Sequence, residues 1–163
     1  MLRKAAVIMG SDSDLATMQP CIDRLRAFAI PFEVHIISAH RTPAAAERFA
    51  SSAAENGFGV LIAAAGKAAH LAGVLAAYTT LPVIGVPIKT SMMGGLDSLL
   101  SMVQMPKGIP VATVAVDGAE NAAILAAQIL ALGDSVLQDC LAAHKAAMDA
   151  EVTAKDLALQ KQF

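Results

Sequence analysis

The feature that most restricts the fold of this chain is a regular alternation between short, nearly continuous apolar runs and longer segments with helical spacing. Strands that are buried on both faces have this character, which is typical of parallel sheets covered by helices on each side. Right-handed crossovers between such strands give a doubly wound, three-layer αβα sandwich. The predicted strands are residues 5–9, 32–37, 59–65, 81–86 and 109–116.

Helical spacing predicts a second set of elements between and after these strands. Five parallel strands favour the flavodoxin-like order 2-1-3-4-5. We therefore expect an α/β fold in one domain over residues 1–163. The last helix has no further strand to cover, so we expect it to pack on neighbouring subunits. The predicted helices are residues 14–28, 43–56, 68–79, 94–103 and 119–132, and a last helix from about residue 134.

Capping residues predict where three of these helices begin. Ser13 or Asp14 can cap the first helix, because their side-chain oxygens can accept the free N–H groups of its first turn. Pro43 suits the first turn of the second helix, where its missing N–H is not needed. Asp134 is expected to cap the last helix.

The composition limits the partners and the compartment of the protein. With 16% charged residues, a net charge of -2 and no block of like charge, the chain offers no expected surface for nucleic acid or a membrane. Cys21 and Cys140 lie far apart in helical patterns, and we interpret both as reduced, buried thiols of a cytoplasmic protein. The mean hydropathy of +0.57 is high for a monomer without a membrane segment, so we expect apolar surface to be buried between subunits.

The loops after strands 1, 2 and 3 are the candidate ligand sites. In a doubly wound sheet, ligands bind outside the carboxyl ends of the strands, where the strand order reverses. The first of these loops, residues 10–14, has the sequence Gly-Ser-Asp-Ser-Asp. Its free N–H groups and the hydroxyls of Ser11 and Ser13 can bind an anion. The alternative is a simple helix cap, since the loop is neither a P-loop nor a GxGxxG fingerprint.

The second loop, residues 38–43, has the sequence Ser-Ala-His-Arg-Thr-Pro. Arg41 can hold a phosphate through paired N–H donors. The imidazole of His40 suits proton transfer near neutral pH. A loop histidine and a solvated arginine are the alternative, but their position beside an anion-binding loop favours function.

The third loop contains Gly66 and His70 among small residues that let another group approach the backbone. We expect His70 one turn inside the following helix, where it can face the site. A histidine hydrogen-bonded within the core is the alternative reading of His70.

The remaining candidates are weaker. His35 lies inside a strand and His144 lies on the apolar stripe of the last helix, so we expect structural roles for both. Asp117 ends strand 5, which is remote from the point where the strand order reverses. No cluster of His, Cys and carboxylate residues has metal-ligand spacing.

Four segments, in this order and at these strand ends, form a specific combination: MGSDSD at residues 9–14, SAHRTP at 38–43, GKAAHL at 66–71 and DSLLSMVQMPKGIPV at 97–111. Together they resemble the 5-(carboxyamino)imidazole ribonucleotide mutase family of purine biosynthesis, from about Lys4 to the last helix. The resemblance implies a cofactor-free isomerase that moves a carboxylate from the exocyclic nitrogen of an aminoimidazole ribonucleotide to ring carbon 4. It also implies a homo-octamer with sites where subunits meet.

The resemblance assigns roles to individual residues. The acid–base histidine of the family matches His40, which could remove the proton from carbon 4 and supply one to the nitrogen. A closed, dry pocket would keep the released carbon dioxide in place. Matches to the family's phosphate, ribose and glycine-rich-loop residues, together with Ser38 beside the histidine, give the expected substrate-binding residues: Ser11, Asp14, Ser38, Arg41, Gly66 and His70.

Two positions depart from the family pattern, which has glycine where Lys67 stands and proline where Ala72 stands. They keep open a related activity, in which free carbon dioxide carboxylates aminoimidazole ribonucleotide directly. Proteins of that related class tend to carry lysine after the strand-2 histidine and to lack the second histidine. Arg41 and His70 therefore favour the mutase.

A non-catalytic module of the same fold is the alternative outside enzymes. A receiver-type sensor needs an aspartate after strand 3 and a lysine after strand 5, whereas alanines close strand 3 and Asp117 follows strand 5. A flavin binder needs aromatic stacking residues, and only 4% of this chain is aromatic. Both readings fit poorly.

Overall fold

The computed structural model describes residues 2–163. Its strands are β1 (Lys4–Met9), β2 (Phe32–Ile36), β3 (Phe58–Ala65), β4 (Val83–Pro87) and β5 (Ala112–Thr113). They form one parallel sheet in the order β2-β1-β3-β4-β5, which confirms the predicted topology. The helices are α1 (Leu15–Ala27), α2 (Pro43–Ser52), α3 (Leu71–Tyr78), α4 (Leu96–Val103), α5 (Ala119–Ala131) and α6 (Ser135–Gln160), and a 3-10 turn (Asp12–Asp14) precedes α1.

The central strands are buried on both faces. On β1, Val7 and Met9 point into a core formed with α1, α5 and the start of α6. Ala6 and Ile8 point into the opposite core, which α2, α3 and α4 cover. Because the side chains on both faces of β1 are removed from water, a polar side chain on either face would lose its hydration. This explains why the central strands are uninterrupted apolar runs in the sequence.

The strand at each end of the sheet differs from its prediction. The sequence predicts a fifth strand over residues 109–116, but only Ala112–Thr113 pairs with β4. Pro110 has no N–H for a ladder bond. After Thr113, only single bonds from the N–H groups of Val114 and Asp117 reach carbonyl oxygens of β4, at 3.0 and 2.9 Å, and the φ of +56° at Asp117 ends the extended path. On the other edge, the side chain of Ile36 is 60% exposed, because β2 is the edge strand of the sheet and pairs only with β1 among residues 2–163.

Three helix starts test the predicted caps. The Asp134 carboxylate accepts a first-turn N–H of α6 at 2.9 Å, and Pro43 is the first residue of α2, so both predictions are confirmed. For α1 the prediction holds in position only. Asp14 is the N-cap residue of α1, as one of the two predicted candidates, but its side chain makes no capping bond. The preceding 3-10 turn is capped by Ser11, whose Oγ accepts the N–H of Ser13 at 3.3 Å.

The helix α6 projects beyond the rest of the chain. Leu137 near its start is buried, but every residue from Lys145 onward is exposed. Within residues 2–163, no helix is long and apolar enough to cross a membrane. The exposed part of α6 and the tail after it carry several apolar side chains: Met148, Val152, Leu157, Leu159 and Phe163.

Candidate active site

A cavity of about 480 Å³ opens at the carboxyl edge of the sheet, between the loops that follow β1, β2, β3 and β4. This volume lies within the range of small-molecule sites. The cavity is where the strand order reverses, as the topology predicts. All of the residues that the sequence proposes for catalysis or substrate binding line it: Ser11, Asp14, Ser38, His40, Arg41, Gly66 and His70.

The loop after β1 brings hydroxyls and a buried carboxyl group to the cavity. Ser11 Oγ accepts both the N–H and the hydroxyl of Ser13, at 3.3 and 3.0 Å. The side chain of Asp14 is buried, and burial raises the pKa of its carboxyl above the usual range. Hydrogen bonds from the Ser11 backbone and the Ser13 hydroxyl lower that pKa but do not cancel the effect of burial. Ionisation of Asp14 therefore costs free energy in the folded protein, and any further hydrogen-bond donor would stabilise the carboxylate.

The loop after β2 has a fixed backbone. The N–H of Thr42 donates to the Ser38 carbonyl oxygen at 2.9 Å, and the N–H of Ser38 donates to Thr42 Oγ1 at 3.0 Å. Ser38 Oγ accepts the N–H of Arg41 at 3.1 Å and keeps its own proton for another acceptor. The side chains of His40 and Arg41 thus leave a closed turn rather than a flexible loop.

The guanidinium of Arg41 reaches from the β2 loop to the β1 loop. Its Nη2 lies 3.5 Å from the carbonyl oxygen of Gly10, which precedes Ser11. Within residues 2–163, no carboxylate forms an ion pair with Arg41. Its remaining N–H donors are available to an anionic ligand.

Two imidazoles meet inside the cavity. His40 Nε2 lies 2.9 Å from His70 Nδ1, and the ring planes are inclined at 76°. The sequence places His70 one turn inside a helix, but α3 begins at Leu71 and His70 is its N-cap residue. The His70 side chain makes no capping bond and contacts His40 instead. The helix starts later than predicted because the N–H groups of Ala69 and His70 donate to the carbonyl oxygens two residues back, those of Lys67 and Ala68, at 2.9 Å each.

The loop after β3 contributes small residues and one cation. A β-carbon added at Gly66 would lie 3.6 Å from the side chains of Ile88 and Thr90, an ordinary contact distance. A side chain at this position would therefore not clash with the rest of the chain, but it would occupy space that glycine leaves open in the cavity. Lys67, the next residue, also lines the cavity and is exposed.

The loop after β4 is part of the site, and the sequence reasoning missed it. The Asp117 carboxylate accepts the N–H of Lys89 at 2.8 Å, and the buried Ser98 hydroxyl donates to the Ile88 carbonyl at 2.7 Å. Asp117 does not line the cavity, but it holds a residue that does. The strand order contained the signal, since β4 lies next to β3 and its carboxyl end opens on the same crevice. The residues concerned are Ile88, Lys89, Thr90 and Ser91.

A second space of about 410 Å³ adjoins the first on the side of β2. It shares Ser11, Ser38 and Arg41 with the main cavity and extends to Asp12 and Thr42. The anion-binding candidates therefore border both spaces.

The other two histidines lie outside the cavity, as expected for structural residues. His35 Nε2 is 3.1 Å from a Glu33 carboxylate oxygen and its ring packs on Phe49. His144 packs edge-on against Phe28, with ring centroids 5.4 Å apart. Within residues 2–163, no group of three or more His, Cys, Asp or Glu side chains is arranged to hold a metal ion.

The two cysteines are free thiols. Cys21 is buried, and burial raises the pKa of its thiol to about 12. Cys140 is only half-buried, so the prediction that both are buried is wrong for this residue.

The charges of the cavity favour an anionic small molecule. Its lining includes three cationic side chains, Arg41, Lys67 and Lys89, and the single carboxyl group of Asp14. The imidazole pair can both donate and accept a proton. The arrangement can therefore hold a phosphorylated molecule and move a proton on it.

Comparison with known proteins gives consistent matches. The family model of AIR carboxylase matches residues 4–151. The chain is 52% identical to the N5-carboxyaminoimidazole ribonucleotide mutase of Pyrococcus horikoshii, over 95% of this chain and 88% of that protein. It is 55% identical to the chloroplastic phosphoribosylaminoimidazole carboxylase of Vigna aconitifolia, over 80% of this chain and 23% of that protein. The crystal structure of Treponema denticola PurE is similar with a TM-score of 0.87 at 26% identity, over 95% of this chain and 97% of that one.

Proposed function

The chain belongs to the AIR carboxylase family, and we propose that it is an isomerase of de novo purine biosynthesis. It converts 5-(carboxyamino)imidazole ribonucleotide to 4-carboxy-5-aminoimidazole ribonucleotide. Relatives that match nearly the whole chain carry the mutase name. The observation that carries the proposal is the cavity that joins His40, its imidazole partner His70 and the guanidinium of Arg41, which forms no ion pair within residues 2–163.

In this proposal, Arg41 and Ser11 hold the 5′-phosphate of the ribonucleotide. The position of the Arg41 guanidinium near Gly10 supports this, because a phosphate beside Ser11 would be within reach of both side chains. Asp14 accepts hydrogen bonds from ribose hydroxyls. Within the chain, the hydrogen bonds to its buried carboxylate are too few to offset the effect of burial on its pKa. The Ser38 hydroxyl, with its proton free, donates to the substrate beside His40.

His40 acts first as an acid and then as a base. When the carbamate of the substrate loses carbon dioxide, protonated His40 gives a proton to the exocyclic nitrogen. Carbon 4 of the resulting aminoimidazole attacks the carbon dioxide, and the neutral imidazole then removes the proton from carbon 4. Aromaticity is restored, and His40 ends in the protonation state in which it began. No cofactor or metal is needed, because both protons move through one side chain.

The other cavity residues limit the loss of carbon dioxide. Gly66 leaves space beside the imidazoles, and His70 fixes the orientation of His40 through the contact between their rings. A closed pocket that excludes water would retain carbon dioxide long enough for recapture.

We further propose that the protein is a homo-octamer in the cytoplasm and that α6 packs on neighbouring subunits. The mean hydropathy of +0.57 and the exposed apolar residues of α6 support burial between copies of the chain. On β2, the exposed side chains of Val34 and Ile36 add to this apolar surface. Free thiols at Cys21 and Cys140 support a reducing compartment.

A direct carboxylase is the second candidate, because the similar protein of Vigna aconitifolia is named a carboxylase. An ultraviolet assay of each carboxylated ribonucleotide, with and without bicarbonate, separates the two activities. A mutase interconverts the two compounds at a rate that does not depend on bicarbonate. If product forms only from aminoimidazole ribonucleotide and bicarbonate, the carboxylase replaces the mutase as the function of this chain.

A further inference from the structure

The backbone of Lys67 adopts a conformation that lysine rarely takes. Its φ of +56° lies in the left-handed region, which glycine enters without strain and which a β-carbon disfavours. Strained residues of this kind concentrate at functional sites, where the surrounding structure maintains them. Lys67 lies in the wall of the main cavity. Its side chain is therefore a candidate for a role in the cavity.

The loop holds Lys67 in a defined place. Its carbonyl oxygen accepts the N–H of Ala69 at 2.9 Å and lies 3.4 Å from the hydroxyl of Ser101 on α4. These contacts tie the β3 loop both to itself and to a neighbouring helix. The direction in which the Lys67 side chain leaves the backbone is thus fixed by the fold.

The charge of Lys67 is not neutralised by the protein. Within residues 2–163, no carboxylate forms an ion pair with it. Lys89, the other lysine of the cavity, likewise forms no ion pair within these residues, since the Asp117 carboxylate accepts its backbone N–H at 2.8 Å and not its ammonium group. Lys67 differs from Lys89 in its left-handed backbone, which fixes its place in the wall of the cavity.

The position of Lys67 separates it from the guanidinium of Arg41. Arg41 follows β2 and Lys67 follows β3, and these two strands flank β1 in the sheet. The two cations thus approach the cavity from opposite sides of the β1 loop. A ligand that satisfies both must carry anionic groups at two places.

We propose that Lys67 binds the carboxylate of the substrate and gives the cavity a preference for carboxylated over uncarboxylated ribonucleotides. This inference rests on the proposed function, in which Arg41 takes the phosphate. Lys67 contacts the carboxylate of the product as it does that of the substrate, and it transfers no proton.

The test is calorimetric titration of two probes, aminoimidazole ribonucleotide and 4-carboxy-5-aminoimidazole ribonucleotide. Lys67→Gln removes the charge, and Lys67→Arg keeps it. Lys107→Gln is the matched control, because Lys107 is an exposed lysine that does not line the cavity. We expect Lys67→Gln to weaken binding of the carboxylated probe about fivefold to tenfold, which is modest because the side chain is exposed to water. Binding of the uncarboxylated probe should stay within about twofold of wild type.

The remaining outcomes are equally informative. If Lys67→Arg and Lys107→Gln prefer the carboxylated probe nearly as much as the wild type does, the assignment is supported. If Lys67→Gln loses affinity equally for both probes, or for neither, the assignment of Lys67 is wrong and the proposed function remains intact. If the wild-type protein binds neither ribonucleotide, both the proposed function and this inference are wrong.

Discussion

His40 Nε2 and His70 Nδ1 lie 2.9 Å apart, so the two imidazoles share a single proton across their contact. Two protonated nitrogens cannot face each other at this distance. The proton of the contact lies on His40 Nε2 or on His70 Nδ1, according to the tautomer, and in either case Nδ1 of His40 remains for the substrate. We regard His70 as the residue that positions His40.

Two substitutions at His70 test this relationship. Asparagine places an amide atom near the position of Nδ1 and can keep a hydrogen bond to His40, whereas alanine cannot. We expect His70→Ala to lower kcat by about 10-fold to 100-fold, as misplacement of a catalytic group does, and His70→Asn to recover most of the loss. Steady-state kinetics of both variants measure this. Equal losses in the two variants would show that the contact with His40 is not what matters.

Arg41→Ala should mainly weaken substrate binding. Loss of a charge-assisted hydrogen bond to the phosphate is expected to reduce the binding free energy by about 1.5–3 kcal/mol. Arg48→Ala is a suitable control, because Arg48 is exposed on α2 and lies outside the cavity. The dissociation constant of the ribonucleotide, measured by calorimetry, should change only for Arg41→Ala. An unchanged constant would remove Arg41 from the phosphate site.

Asp14→Asn should stabilise the fold and weaken ribonucleotide binding. Burial raises the pKa of Asp14 in the folded protein, so ionisation of this carboxyl opposes folding. The unfolding free energy of the wild type falls as the pH rises from below the ordinary pKa of aspartate to above the raised pKa of Asp14. Asparagine does not titrate, so the variant lacks this loss. The variant's advantage in unfolding free energy should therefore grow over that acidic range and then remain constant.

Urea unfolding at several pH values measures this difference. Asp139→Asn is the control, because Asp139 is exposed on α6 and lies outside the cavity. A variant that is less stable than the wild type at neutral pH would contradict the account of Asp14.

Light scattering at micromolar concentration should report an octamer for the wild type. Val152→Asp places a charge on the exposed part of α6, where Val152 is 66% exposed in the single chain, and should lower the mass. Thr153→Asp adds the same charge at an adjacent exposed polar position and should leave the mass unchanged. A wild-type protein that is a stable monomer would rule out both the octamer and sites shared between subunits.

The sheet and the edge that carries the site could be predicted because each depends on a repeated local pattern. Apolar runs buried on both faces identify parallel strands, and the strand order then fixes where ligands bind. The end of the β5 run could not be predicted, since pairing there depends on backbone geometry at Pro110 and Asp117.

The contact between His40 and His70 could not be predicted from the sequence pattern either. It depends on the turns at residues 67–70, where Ala69 and His70 donate to carbonyl oxygens two residues back and leave His70 as the N-cap residue of α3. Residues 88–91 were not predicted for a different reason: the reversal of the strand order points to the loops after β1, β2 and β3, although β4 lies beside β3.

His40→Asn should fold, assemble and bind ribonucleotide like the wild type, because asparagine keeps a polar group near the position of Nδ1. It cannot carry the proton between nitrogen and carbon 4. Its turnover should fall by at least about 100-fold, the lower end of what general acid–base catalysis contributes. A variant with near-normal turnover would make His70 the next candidate.

The most direct test of His40 as the proton carrier is exchange of the carbon 4 proton of aminoimidazole ribonucleotide in heavy water, followed by proton NMR. The probe has no carboxylate, so the measurement isolates proton removal from carboxyl transfer. The wild-type protein should replace the carbon 4 proton with deuterium, and His40→Asn, with ribonucleotide bound, should not. Exchange at the wild-type rate in His40→Asn would contradict the mechanism.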